Sequence, residues 1–293
     1  MSANPETTPD GAALKVAVPN KGSLAEASAQ MLREAGYRQR SDPKELVLLD
    51  ERNQVEFYYL RPRDIAVYVG EGTLDVGVTG RDMLLDSAAL ADEVLELGFG
   101  ETRFRFAAPE GSKLKVADLD GKRIATSYPG LVRAYLEKAG VSARLITLDG
   151  AVESSVRLGV ADVIADVVET GSTLRRAGLE LFGAPLLVSQ AILIQRRPVL
   201  ASAATDLLVR RLNGVIAART YLMVDYNVPQ AKLEQAIAIT PGLDSPTVSP
   251  LAQPGWVAVR AMIPRADSQR IMDDLWDVGA EAILVTNIHA CRL

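Results

Sequence analysis

Two segments about 90 residues apart are written in one grammar. Gly72-x-x-Asp75-Val76 and Gly159-x-x-Asp162-Val163 each give a helix stop, two residues, an aspartate and an apolar strand. A Thr-Gly pair follows each, Thr79-Gly80 and Thr170-Gly171, and then a new helix begins. Such a repeat predicts two α/β lobes facing a common cleft.

The second copy is the richer in chemistry. Val163, Ile164, Val167 and Val168 form the short apolar run of a strand covered on both faces. Asp166 and Glu169 place carboxylates near its carboxyl end, where open α/β sheets bind ligands. Thr170, Gly171, Ser172 and Thr173 then supply hydroxyls and flexible backbone where the next helix starts. Read locally, the turn serves equally as an N-cap or as a phosphate cradle built on the free N–H groups of a helix start. Carboxylates beside a phosphate repel it unless a cation lies between, so the cradle reading brings Mg²⁺ with it. The turn matches neither the Walker pattern nor G-x-G-x-x-G.

Composition narrows the classes. A length of 293 residues suffices for two or three domains, and 48% hydrophobic and 24% charged residues are globular values. A net charge of −5 argues against nonspecific nucleic-acid binding, though acidic small molecules need only a local basic cluster. One cysteine, Cys291, excludes an internal disulfide framework. One histidine, His289, makes a histidine-based triad unexpected and reads as structural, within a last strand from Ala282 to Cys291. Residues 1–13 read as a disordered tail without the apolar core of a signal peptide. No run reaches the roughly 20 apolar residues of a membrane span. The expected protein is cytoplasmic, with no nucleic-acid or membrane partner.

Along the first lobe, a strand from Lys15 to Pro19 leads through Asn20-Lys21-Gly22 into a helix with the capping-box pair Ser23 and Glu26. Strands at Leu46–Leu49 and Val55–Leu60 precede Arg61-Pro62-Arg63-Asp64, which opens a helix with proline in its first turn. Thr79-Gly80-Arg81-Asp82 is a second strand-to-helix turn. Lys21 alone reads as an exposed loop lysine, but Arg61, Arg63 and Arg81 reach sheet edges too, and their convergence would make an anion site. In the second lobe, Tyr128 is either a core-edge aromatic or a platform for a flat base. Asp149 can N-cap a helix with Glu153 in its first turn. From Leu186 to Gln195 the chain is extended and crosses back to the first lobe. The last 75 residues or so read strand, helix, strand, strand, helix, strand, the ferredoxin-like order.

Taken in order, Val18-Pro19-Asn20-Lys21-Gly22, Arg61-Pro62-Arg63-Asp64-Ile65, Gly77-Val78-Thr79-Gly80-Arg81-Asp82, Asp149-Gly150-Ala151-Val152-Glu153, Glu169-Thr170-Gly171-Ser172-Thr173-Leu174 and Ile239 to Thr247 closely resemble the ATP phosphoribosyltransferase family in its long form. The resemblance covers residues 14 to 293. It implies an α/β fold: two lobes like type II periplasmic binding proteins, 14–103 with 186–218 and 104–185, plus a C-terminal ferredoxin-like βαββαβ regulatory domain, 219–293. It implies the first reaction of histidine biosynthesis, in which ATP and phosphoribosyl pyrophosphate give phosphoribosyl-ATP and pyrophosphate with Mg²⁺. It assigns Lys21, Arg61 and Asp166 to catalysis. Asp166, Glu169, Thr170, Gly171, Ser172 and Thr173 take phosphoribosyl pyrophosphate. Lys21, Gly22, Arg61, Asp82 and Tyr128 take ATP, and Glu153 and Asp166 the metal. By position, Asp225, Ser245 and Thr247 are candidates for L-histidine as feedback inhibitor. Dimers assembling into hexamers are implied as well.

The chemistry fits these residue types. Adenine N1 has a free lone pair and needs no base, so positioning and electrostatics carry the reaction. The rival readings are a non-catalytic two-lobed binding protein, a phosphoribosyltransferase with another acceptor base, and an inactive relative. The retained acidic and Thr-Gly-Ser-Thr positions weigh against the last.

Overall fold

The computed structural model describes residues 13–168, 171–198 and 202–292. The expected tail therefore lies outside them except for Ala13, as do Glu169 and Thr170.

Lobe I begins with β1 (Leu14–Pro19), α1 (Ser23–Glu34), the antiparallel pair β2 (Val47–Asp50) and β3 (Val55–Leu60), and α2 (Pro62–Gly70). It continues with β4 (Val76–Gly80), α3 (Arg81–Ser87) and β5 (Ala91–Glu96). Lobe II holds β6 (Thr102–Pro109), β7 (Arg123–Thr126), α4 (Pro129–Ala139), β8 (Arg144–Thr147), α5 (Ser154–Arg157), β9 (Val163–Val168), α6 (Ser172–Arg176) and β10 (Leu179–Ser189). The chain then returns to lobe I as β11 (Ala191–Arg196). The sheet orders are β2-β3-β1-β4-β11-β5 and β10-β6-β9-β7-β8. Each sheet takes in the strand that follows a crossover, β11 antiparallel to β4 and β5, β6 antiparallel to β9 and β10. That exchange is what the expected two-lobed fold requires. The strands buried on both faces are the apolar runs, with every residue of β4 and all but the last of β11 buried.

The internal repeat has a physical basis. Asp75 Oδ2 accepts the Lys15 N–H at 2.9 Å, and Asp162 Oδ2 accepts the Arg123 N–H at 2.9 Å. In both lobes the aspartate therefore pins the start of the neighbouring parallel strand, β1 or β7. Arg123 adds an ion pair to Asp162 at 2.7 Å, which holds that carboxyl down to about 2. The Thr-Gly halves of the repeat do not correspond. Gly80 is extended (φ −82°) and ends β4, so α3 follows with no intervening turn, whereas Gly171 has φ +67° ahead of α6.

Three boundaries differ from expectation. β10 keeps its pairing with β6 through Ser189, so lobe II runs to that residue and not to 185. Gly183 and Pro185 break the pattern in sequence but only interrupt the register between Phe182 and Leu187, as a bulge does. β5 went unseen because its residues, Ala-Asp-Glu-Val-Leu-Glu, are those of a half-exposed edge strand. Finally, α5 starts at Ser154, so Glu153 precedes it instead of lying in its first turn.

By compactness the chain divides into residues 1–33 with 37–206, and residues 34–36 with 207–293. The second unit contains most of α7 (Ala203–Thr220), then β12 (Tyr221–Pro229), α8 (Leu233–Ile239), β13 (Thr247–Pro250), β14 (Trp256–Pro264), α9 (Ser268–Val278) and β15 (Glu281–Asn287). The division falls within α7 and not at the expected 218/219. The sheet order β13-β14-β12-β15, antiparallel throughout, is ferredoxin-like as the sequence predicts. Its core gathers Val224, Tyr226, Val259, Ile263, Ile271 and Leu275. Inside it the Tyr226 hydroxyl meets the Thr240 hydroxyl at 2.7 Å. Both tryptophans of the chain belong to this unit: Trp256 opens β14 and Trp276 is 70% exposed on α9. His289 is exposed beyond the end of β15, so it is not part of the last strand.

Candidate active site

Parallel strands bring their carboxyl ends to one edge of each sheet. In lobe I, β3, β1 and β4 are adjacent and parallel, with Pro19 opposite Leu60. Just beyond these ends lie Arg61, Lys21 and, in the first turn of α3, Asp82. In lobe II, β8, β7 and β9 do the same and deliver the 149–153 loop, Tyr128 and Asp166.

Between these edges lies a cavity of about 380 Å³. Arg63, Gly80, Asp82, Met83 and Ser189 line it together with Ser127, Tyr128, Asp149, Gly150 and Asp166. Asp82 is 5% exposed and held from two sides. The Ser189 hydroxyl donates to its Oδ1 at 3.0 Å and accepts its backbone N–H at 3.0 Å. Ser189 is the last residue before the chain returns to lobe I, so this hydroxyl ties the crossover to the pocket floor. Removing it leaves the buried Asp82 N–H without this acceptor and takes one donor from the Asp82 carboxylate. We expect Ser189→Ala to cost about 1–3 kcal/mol of stability and to weaken ligand binding at Asp82, read by calorimetric melting and titration. An unchanged melting curve would show that the hydroxyl is dispensable.

Asp166 has the opposite environment. Burial pushes its carboxyl upward, and the nearby Glu153 and Asp82 carboxylates add to the effect, against a Val167 N–H donating at 2.8 Å and the Arg63 cation. An acid group crowded by acids is short of positive charge. Asp166 and Glu153 are the carboxylates that could hold a divalent cation here, since oxygen ligands of this kind suit Mg²⁺. Among the described residues no group of three or more His, Cys, Asp or Glu gathers for a metal, so a resident all-protein cage is not what these residues form.

Tyr128 is 8% exposed and sits at the edge of the lobe II core, in a T-shaped contact with Phe104 at 5.2 Å. Arg63 lies over its ring at 4.4 Å from the centroid. Burial, with the Asp82 carboxylate beside it, raises the phenol above its ordinary value. Arg63 also pairs with Asp86 at 3.5 Å. Asp86 Oδ1 in turn accepts the Gly130 and Leu131 N–H groups at 2.8 and 3.2 Å, capping α4 of lobe II from α3 of lobe I. Position 130 must be glycine for this approach, since a Cβ there would lie 2.2 Å from the Asp86 carbonyl oxygen.

The other expected residues fall outside the cavity wall. Lys21 and Gly22 are exposed in the turn after β1, and Arg61 is exposed at the N-cap of α2 without a side-chain cap bond. Gly171 adopts a left-handed conformation that favours glycine, and Ser172 and Thr173 are exposed in the first turn of the five-residue α6. Arg81 does not join a basic cluster. Glu93 and Glu96 hold its guanidinium, with Nε donating to Glu93 at 2.9 Å. The sequence offers Arg63 only as one member of a basic convergence, and it gives Ser127 and Ser189 no site role. Only Arg63 carried a signal, as one of three arginines near sheet edges.

In the second unit, Asp225 of β12 accepts a hydrogen bond from Arg260 of β14 at 2.6 Å, and Thr247 of β13 lies opposite Arg260 on its other side. Ser245 is exposed in the loop before β13, its hydroxyl donating to the Pro246 carbonyl.

Two sheets that each receive the other's crossover strand, with ligand-facing turns at their carboxyl edges, define a two-lobed α/β protein extended by a ferredoxin-like domain. Within that class the comparisons are specific. The family profile described as ATP phosphoribosyltransferase matches residues 61–214, and one described as HisG, C-terminal domain, matches 218–290. The ATP phosphoribosyltransferase of Arthrobacter sp. (strain FB24) is 60% identical over 285 residues, which is 96% of this chain and 100% of the relative. That of Salinispora tropica is 61% identical over 280 residues with the same coverage. A chain of the ATP phosphoribosyl transferase (HisG:HisZ) complex from Thermotoga maritima superposes with a TM-score of 0.59 at 28% identity, covering 69% of this chain and 98% of that one. The chain belongs to the ATP phosphoribosyltransferase family of transferases, in its long form. Among the described residues no helix is long and apolar enough to cross a membrane.

Proposed function

We propose that the chain is a cytoplasmic enzyme that joins adenine N1 of ATP to C1 of phosphoribosyl pyrophosphate, releasing pyrophosphate as the first step of L-histidine biosynthesis. The observation that carries the reading is the cavity. Lobe I contributes a buried Asp82 and the Arg63 guanidinium to it, and lobe II contributes the Tyr128 ring beneath Arg63 and the crowded Asp166. Family membership gives the two substrates.

The N1 lone pair forms the new N–C bond while the C1–O bond to pyrophosphate breaks. No proton moves, so the lack of a histidine or thiol in the cavity wall is no obstacle. Asp82 and Tyr128 orient the nucleotide. Residues 169–173 hold the 5′-phosphate of the donor, and Lys21 and Arg61 take the leaving pyrophosphate from the β1 and β3 edges. Asp166 and Glu153 face the ribose and are the residues that would hold Mg²⁺. When bound, Mg²⁺ would neutralise charge growing on the departing pyrophosphate.

The direct test follows pyrophosphate release and ultraviolet absorbance with ATP, phosphoribosyl pyrophosphate and Mg²⁺, and compares other bases as acceptors. Release that requires both substrates is expected. No release would favour a two-lobed binding protein, and calorimetry would then be needed to find its ligand.

We assign feedback inhibition by L-histidine to the second unit, and homodimers assembling into hexamers to the full protein. Asp225 and Arg260 present opposite charges on neighbouring strands, complementary to an amino acid carrying an ammonium and a carboxylate, with Ser245 and Thr247 close in sequence or register. Asp225→Asn should raise the histidine concentration for half-inhibition on the order of tenfold and leave uninhibited turnover unchanged. Unaltered inhibition in this variant would move the effector site elsewhere.

A further inference from the structure

Tyr128 lines the cavity yet is nearly buried, so no open ring face awaits a base. Stacking demands a free face, and one covering group must therefore leave. Of the aromatic and cationic groups against the ring, Phe104 is 1% exposed within the lobe II core and is fixed there. Arg63 is different. Its side chain is 43% exposed, and its pairing with Asp86 at 3.5 Å is long for a charge-assisted hydrogen bond. A guanidinium is flat and delocalised and uses a ring face much as a purine does.

We propose that Arg63 holds the face of Tyr128 until a purine base displaces it, so that base binding and release of this cation are a single event. The inference rests on the reading of Tyr128 as the base platform. It gives Arg63 two partners in succession. With the pocket empty its charge faces Tyr128 and Asp86. With the base seated, the guanidinium swings on its stem into a cavity that already contains Asp166 and receives the phosphates of the nucleotide. The exchange weakens a bare nucleoside, which must evict the guanidinium, and favours a nucleotide, which gives the evicted cation a new partner.

The two halves separate by using adenosine and ATP as probes in calorimetric titration of the full chain. Arg63→Ala should bind adenosine about two- to fivefold tighter than wild type and ATP more weakly. Opposite signs for the two probes are the signature, because a merely structural arginine would weaken both. Asp86→Asn removes the charged anchor but keeps an oxygen for the Gly130 and Leu131 N–H groups, so it should also tighten adenosine, and it serves should Arg63→Ala fold poorly. Adenosine binding unchanged or weakened in both variants, in a wild-type protein that releases pyrophosphate, overturns the exchange and leaves the transferase reading standing. A wild-type protein that binds neither probe and releases no pyrophosphate overturns both.

Discussion

Asp166→Asn should lower turnover by a hundredfold or more while leaving the protein at least as stable as the parent. The two halves have one cause. The carboxylate is buried and lies near Glu153 and Asp82, so its charge is held at a disadvantage in the empty fold and its carboxyl titrates above the ordinary aspartate range. An amide of the same shape removes that disadvantage and keeps an acceptor for the Val167 N–H. On the proposed reading the same charge would attract Mg²⁺ and balance a sugar ring turning positive, and a lost electrostatic contact of this type costs about 3 kcal/mol of barrier. The pH dependence has opposite signs in the two measurements. For metal-free protein, a raised folded pKa means that the Asp166 contribution to stability is best below that pKa and declines as pH rises through it. Metal and donor binding need the ionised form, so they decline as pH falls through the same value. Turnover, metal titration and calorimetric melting of wild type and variant test this together. A variant that melts well below the parent would mean that the Asp166 charge is satisfied by the protein itself, and the metal assignment would fall.

Lys21→Ala should cost on the order of a hundredfold in kcat with the melting temperature unmoved. The argument is one of placement. Lys21 is exposed in the turn after β1, and changes at such surface positions usually alter stability by less than about 0.5 kcal/mol. It stands outside the cavity wall, at the sheet edge shared with Arg61, where a long leaving group would emerge. A large kinetic loss on an intact fold would locate the pyrophosphate there. Turnover near wild type would return Lys21 to an ordinary loop lysine and shift the leaving group towards Arg63.

Element identity was readable where burial imposes a period. β4, β9 and β11 announce themselves as apolar runs, and the antiparallel unit from Tyr221 to Asn287 alternates cleanly enough to give its order. The aspartates of the repeat were visible, but their work on the N–H groups of Lys15 and Arg123 was not, because those partners lie 60 and 39 residues away. The same distance problem hid the site. Ser189 is an unremarked serine at a strand end until the fold sets it against Asp82, 107 residues earlier. Arg63 and Arg81 look alike in sequence, yet one lines the cavity and the other is held by two glutamates of β5. Charge type is written locally, whereas charge pairing is decided by the tertiary fold.

Trp256 and Trp276 turn the chain into its own domain-resolved spectrometer. All indole emission originates in residues 207–293, and the catalytic unit contributes none. Fluorescence melting will therefore follow the ferredoxin-like domain alone, while calorimetry follows both, and the gap between the two curves measures how independently the units unfold. A spectral change on adding a nucleotide would then report on the second unit, obtained without attaching a dye.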